Sequence, residues 1–270
     1  MTRPTTGLQR RPTTPPPEAP APTRRDPADL PVHAVLLIVA LTAGVTGQGA
    51  YYAEGQRLMA LLFAVALVFS LTVQPSSSIT TWRGPRRVAA ALAAWVVVSG
   101  AVTGHLAAAG SFVALIAGVL VVLVLCSRTA PRQREALAGA VVALGALVAL
   151  AGWVGVAWRI TPWALEDQAL WRAASPLTYA NATAGFLAAA ALVALGRLVR
   201  APGRPLEAVA VCLLLMGVGA TLSRAGLLSL ALGIAVLCAV LGLRRVVVGA
   251  SGPVLGAAVA LAGLAPSMPA

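Results

Sequence analysis

The sequence predicts an all-α fold, a polytopic bundle of about nine transmembrane helices with its N-terminus inside. Of its 270 residues, 59% are hydrophobic and only 10% are charged, where a soluble globular domain carries ~25% charged residues. Mean hydropathy is +0.87. From residue 32 onward, apolar runs close to the ~20 residues that a bilayer core demands follow one another to the end of the chain.

The chain opens with a polar stretch. Met1 to Pro31 contains nine prolines and five arginines, a composition that cannot bury enough apolar surface to order itself. Residues 1–31 therefore read as a disordered cytoplasmic tail. The polar part is too long for a cleaved signal, and no A-x-A-like site follows the first apolar run.

The transmembrane domain, 32–270, is expected to hold spans at 32–52, 58–74, 88–104, 106–126, 137–158, 180–199, 206–222, 226–243 and 246–265. The third and fourth are nearly continuous and break around His105. The ninth is the weakest, because Gly249, Gly252 and Pro253 interrupt it. Gly100 with Gly104, and Gly252 with Gly256, form small-xxx-small pairs that suggest close helix packing.

Loop charge orients these spans. All twenty basic residues are arginine. Sixteen fall on the tail side: Arg3, Arg10, Arg11, Arg24, Arg25, Arg83, Arg86, Arg87, Arg128, Arg132, Arg134, Arg197, Arg200, Arg204, Arg244 and Arg245. Four fall on the other side: Arg57, Arg159, Arg172 and Arg224. The excess places the tail inside and Ala270 outside. A formal charge of +12 invites a nucleic-acid reading, but that requires basic residues clustered on one soluble face. Here they are scattered between apolar runs, and nucleic acid is excluded as a partner.

Cys126, Cys212 and Cys238 lie within or at the end of apolar runs without CxxC spacing, and read as small packing residues. His33 and His105 are too few for a metal cluster.

Two outer segments hold the polar residues. In "TLSRAG", Arg224 separates two apolar runs. One helix over Leu206–Leu243 would be about 57 Å long at ~1.5 Å per residue, against a ~30 Å hydrocarbon core. The chain must turn there, with Gly226 offering the backbone freedom that a tight turn uses. Arg224 is then either a snorkelling interfacial arginine or an anion-binding group. Between spans five and six, "RITPWALEDQALWRAASPLTYANATAG" is expected to form a short interfacial helix from Pro162 to Arg172. Pro162 suits its first position, Glu166 and Asp167 its early turns, and Trp163 and Trp171 the headgroup belt. Arg159 and Arg172 are candidate cations, and Tyr179 and Asn181 candidate hydrogen-bonding groups. "NAT" at Asn181 matches a glycosylation sequon, but its closeness to the span counts against that use.

"SPLTYANATAGFLAAAALVALG", a polar inner loop and "TLSRAGLLSLALGIAVL" together resemble the O-antigen ligase and polymerase family of bacterial membrane proteins. The resemblance implies a GT-C-like, metal-independent enzyme without cofactor in the cytoplasmic membrane. Its donor would be an undecaprenyl-pyrophosphate-linked glycan, passed to a glycan or other acceptor on the outer face. It further implies that Arg224, the match to the arginine of the family's "SRG" turn, belongs to the active site, although Ala225 stands where the family has glycine. Arg172 and Arg159 would assist at the pyrophosphate, and Tyr179 and Asn181 would orient sugar or phosphate. Family members continue into a long outer loop with a functional histidine and a further arginine, whereas this sequence stops at "LAPSMPA". It is accordingly read as a fragment or as a form lacking part of the catalytic apparatus. The competing readings are a small-solute transporter, against which stands the lack of a carboxylate deep in any span, and a non-catalytic membrane scaffold.

Overall fold

The computed structural model describes residues 30–50, 52–71, 83–167 and 169–269. All but the last two residues of the expected tail lie outside the described residues. The described chain is mostly helical. Its α-helices are α1 (Val32–Thr46), α2 (Ala53–Leu71), α3 (Arg83–Thr103), α4 (Leu106–Arg128), α5 (Pro131–Trp158), α6 (Ala180–Arg200), α7 (Pro205–Ala220), α8 (Arg224–Leu241) and α9 (Leu243–Leu264). Five described helical segments are long and apolar enough to cross a bilayer: Glu54–Leu71, Pro131–Trp158, Ala180–Arg200, Arg224–Leu241 and Leu243–Ser267. Shorter apolar helical segments are Val32–Thr46, Arg87–Thr103, Phe112–Arg128 and Pro205–Ala220.

Helix α6 is central, packed against α5, α7 and α8, while α7 is wrapped by α5, α6 and α9. The side chains explain this arrangement. Ala184, Ala188, Ala190, Ala191 and Ala194 let neighbouring helices approach closely, and Leu187, Leu195, Leu214 and Val218 fill the spaces between them. Leu228, Leu232, Val236 and Val240 of α8, and Val248, Leu255 and Val259 of α9, point outward and are exposed. A soluble protein does not leave an apolar belt of that extent in water. A bilayer accepts it.

Helices α3 and α4 separate at Gly104, whose φ is +74°, and His105 caps α4. Gly100 lies against Ala109, where a Cβ would come within 2.6 Å of the alanine's own. Gly256 packs near Cys212 Sγ, while Gly252 faces open space, so each expected small-residue pair contributes one packing glycine. Helix α9 runs unbroken through Gly249, Gly252 and Pro253.

The expected interfacial helix from Pro162 to Arg172 is not formed. The segment is an antiparallel hairpin, β1 (Ala164–Asp167) with β2 (Leu170–Ala173). Glu166 and Asp167 are therefore strand residues, and Pro162 sits in the turn that leads into β1. The cause is tertiary. Trp171 N donates to Met268 O at 2.6 Å, and Leu170 bridges Pro269, so the chain's last described residues extend the ladder. Backbone pairing of that kind outweighs a weak local preference for helix.

The hairpin lies on α5 because α5 has no side chain there. A Cβ on Gly155 would come within 2.8 Å of the Trp163 carbonyl carbon and Cβ. Gly155→Val is expected to lower the thermal unfolding temperature of the purified protein by several degrees, since overpacking costs ~1–3 kcal/mol. Gly185→Ala is the matched control. A Cβ at 185 meets nothing within 4 Å, so this change should be neutral or slightly stabilising.

Candidate functional site

The hairpin, the turn before α6, the turn between α7 and α8 and the Ala265–Pro269 segment gather at one end of the bundle. The expected site residues lie in or beside these segments. At the other end, Arg197 pairs with Glu207 and Glu135, and Arg244 and Arg245 stand at the start of α9.

The turn at "TLSRAG" forms as the length argument requires, with one correction. Leu222, not Gly226, takes the left-handed backbone, at φ +53°. Gly226 is helical, and it is glycine because its Cα rests on the Ala184 side chain of α6. Ser223 caps α8: its Oγ accepts from Gly226 N at 3.1 Å and donates to Asn181 Oδ1 at 2.8 Å. Asn181 Nδ2 in turn donates to Tyr179 Oη at 3.1 Å. Ser223 thus links the two quoted halves of the sequence, one on α6 and the other on α8. Its capping role had a signal in the sequence, a serine one residue ahead of an apolar run.

The three candidate arginines are placed differently. Arg172 Nε donates to Thr221 O at 3.0 Å, and its Nη1 pairs with Asp167 Oδ2 across the hairpin. Arg159 Nη2 donates to Pro269 O at 2.8 Å. Both guanidinium groups hold this end of the bundle together, and each keeps further N–H groups beyond these bonds. Arg224, the first residue of α8, is exposed and has no hydrogen-bond or ion-pair partner among the described residues. Tyr179 is 60% exposed, and its backbone carbonyl caps the first turn of α6 through Thr183 N.

Buried hydroxyls brace the frame beneath. Ser175 Oγ donates to Val148 O at 2.7 Å, and Thr183 Oγ1 to Ala174 O at 2.5 Å. Among the described residues, the non-glycine residues with positive φ are Gln48, Arg159, Ala169, Ser175, Thr178 and Leu222. Most lie in the segments just named, and Gln48 neighbours Gly49, whose ideal Cβ falls 3.8 Å from Leu177. Backbone in sparsely populated regions costs about 1–3 kcal/mol per residue and gathers where a site must be held in shape. Comparison with family models, with curated proteins and with solved structures finds no match.

Proposed function

We propose that the chain is a multi-pass protein of the bacterial cytoplasmic membrane that acts on an undecaprenyl-pyrophosphate-linked glycan at the outer face. It would transfer the glycan to an acceptor in the manner of an O-antigen ligase or polymerase. The observation that carries this reading is the state of Arg224. A cation in the first turn of a helix opposes the positive end of the macrodipole, a disadvantage of ~0.3–1 kcal/mol. No acidic residue stands in that turn to offset it. An anion bound there would be favoured by guanidinium and dipole together.

In the transfer, the acceptor hydroxyl oxygen attacks the anomeric carbon, its proton passes to the departing pyrophosphate or to water, and the bond from that carbon to the pyrophosphate oxygen breaks. The leaving group takes the electron pair, so negative charge grows on phosphate oxygens. A fixed cation acts most strongly at that point. Arg224 is assigned to this charge. Tyr179 and Asn181, joined to the cap of α8 through Ser223, are assigned to orient sugar or phosphate, and Arg172 and Arg159 to assist at the pyrophosphate. Asp167 is engaged by Arg172, and no carboxylate is assigned as a base.

The proposed topology has nine spans with the N-terminus inside. The short α7 fits it because α7 is enclosed by other helices rather than by lipid, so its ends need not reach both interfaces. Alkaline-phosphatase fusions after Asp167 are expected to be active, and fusions after Arg134 or Arg204 inactive. The reverse pattern overturns the orientation. The function is tested by glycan transfer from a lipid-pyrophosphate donor in membranes carrying the full-length protein. Absence of transfer above empty membranes, at verified expression and with competent acceptor, defeats the enzyme reading.

A further inference from the structure

At the arginine-rich end of the bundle, α6 to α9 surround an open cavity of about 960 Å³, at the upper end of the range for small-molecule sites. Its origin is local. Gly242, at φ +92°, passes α8 directly into α9 without a linker, and the Pro202–Gly203 turn adds no bulk opposite. On α9 the wall includes Gly249, Gly252 and Pro253. A Cβ on Gly252 would meet nothing within 4 Å. The residues that weaken the ninth apolar run in the sequence are the ones that hollow this face.

The remaining walls are apolar, among them Leu198, Leu241 and Val248. Arg244 and Arg245 are part of the lining, both exposed, and neither has an acidic partner among the described residues. Their neighbours differ. Arg197 and Arg204 face Glu135 or Glu207 at the same end. An apolar slot lined by two arginines without an acidic partner among the described residues, on a helix bundle with an exposed apolar belt, matches one kind of molecule. Acyl chains fill the slot and a phosphodiester meets the arginines.

We infer that this cavity is a binding site for an anionic diacyl phospholipid, separate from the site at Arg224 and independent of the proposed transfer reaction. The other occupants fit less well. Residues 1–29 carry five arginines against Glu18, Asp26 and Asp29, so that segment would be repelled by Arg244 and Arg245. A free phosphate would leave the apolar walls unfilled.

The test is native mass spectrometry of the full chain in detergent, with phosphatidylglycerol and phosphatidylcholine of identical acyl chains in competition. Wild-type protein is expected to retain phosphatidylglycerol preferentially. An arginine near an anionic headgroup contributes about a fivefold preference, so R244Q/R245Q should lower the preference about thirtyfold. Gly252→Phe fills open space, keeps both arginines and should abolish retention of either lipid at this site. R132Q/R134Q removes two exposed arginines at the same end and should leave retention unchanged. Equal retention in R244Q/R245Q and wild type overturns the site, and so does an equal fall in R132Q/R134Q. Displacement of the lipid by inorganic phosphate at millimolar concentration would show a bare anion site instead. Circular dichroism matched to wild type ensures that each variant is compared as folded protein.

Discussion

Arg224→Ala in the full-length protein is expected to reduce glycan transfer by roughly tenfold to several-hundredfold or more, with membrane insertion unchanged. The size follows from the bonds lost. A hydrogen bond to a charged group is worth ~1.5–3 kcal/mol, and one or two of them meet the departing pyrophosphate. Insertion is unaffected because Arg224 is exposed and holds no other residue among those described, while the cap of α8 is supplied by Ser223. Arg224→Lys separates the two explanations for this arginine. Lysine keeps the charge but loses the planar fork, so it restores only part of the activity if a phosphate is gripped at two points. A residue that merely anchors the helix in the headgroups works equally well as lysine. Turnover is measured in membranes matched for protein level. Wild-type turnover in both variants removes Arg224 from the site.

The part of this end that the sequence shows is the one set by length. The reversal at residues 221–223 follows from an apolar stretch too long for one membrane crossing. The hairpin was hidden for the opposite reason. Its second strand pairs with Met268 and Pro269, almost a hundred residues further along, and no window around Trp171 contains that information. Read locally, Pro162, Glu166 and Asp167 give the pattern of a helix start.

The same limit explains the arginines. By local pattern alone, Arg159, Arg172 and Arg224 are lone cations between apolar runs. Only the folded chain shows that Arg172 meets Thr221 O and Asp167 and that Arg159 meets Pro269 O, leaving Arg224 without a partner among the described residues. Gly226 was legible as a glycine that matters, but not for its actual reason. The constraint is a side chain on α6, and helix contact is a long-range property.

Arg197→Ala is expected to destabilise the folded bundle by about 3 kcal/mol, the low end of the range for removing one partner of a buried ion pair. Arg197 Nε donates to Glu207 Oε1 at 2.8 Å, and Nη2 lies 2.6 Å from the same oxygen. Nη1 donates to Glu135 O at 2.8 Å and lies 3.1 Å from Glu135 Oε1. One side chain thereby joins the ends of α5, α6 and α7. The two main partners are largely withdrawn from solvent, with side-chain exposures of 15% for Arg197 and 12% for Glu207. Without Arg197 the Glu207 carboxylate is left desolvated, relieved only by its place in the first turn of α7. Glu135 is 56% exposed, so Glu135→Ala should cost at most about 1 kcal/mol. The decisive measurement is a double-mutant cycle on thermal unfolding in detergent. Arg197→Ala with Glu207→Ala should cost less than the sum of the single changes by ~1.5–3 kcal/mol, because the second change removes the stranded charge that the first one creates. Strict additivity would mean that each side chain acts only through its own packing and that the ion pair does not tie α6 to α7.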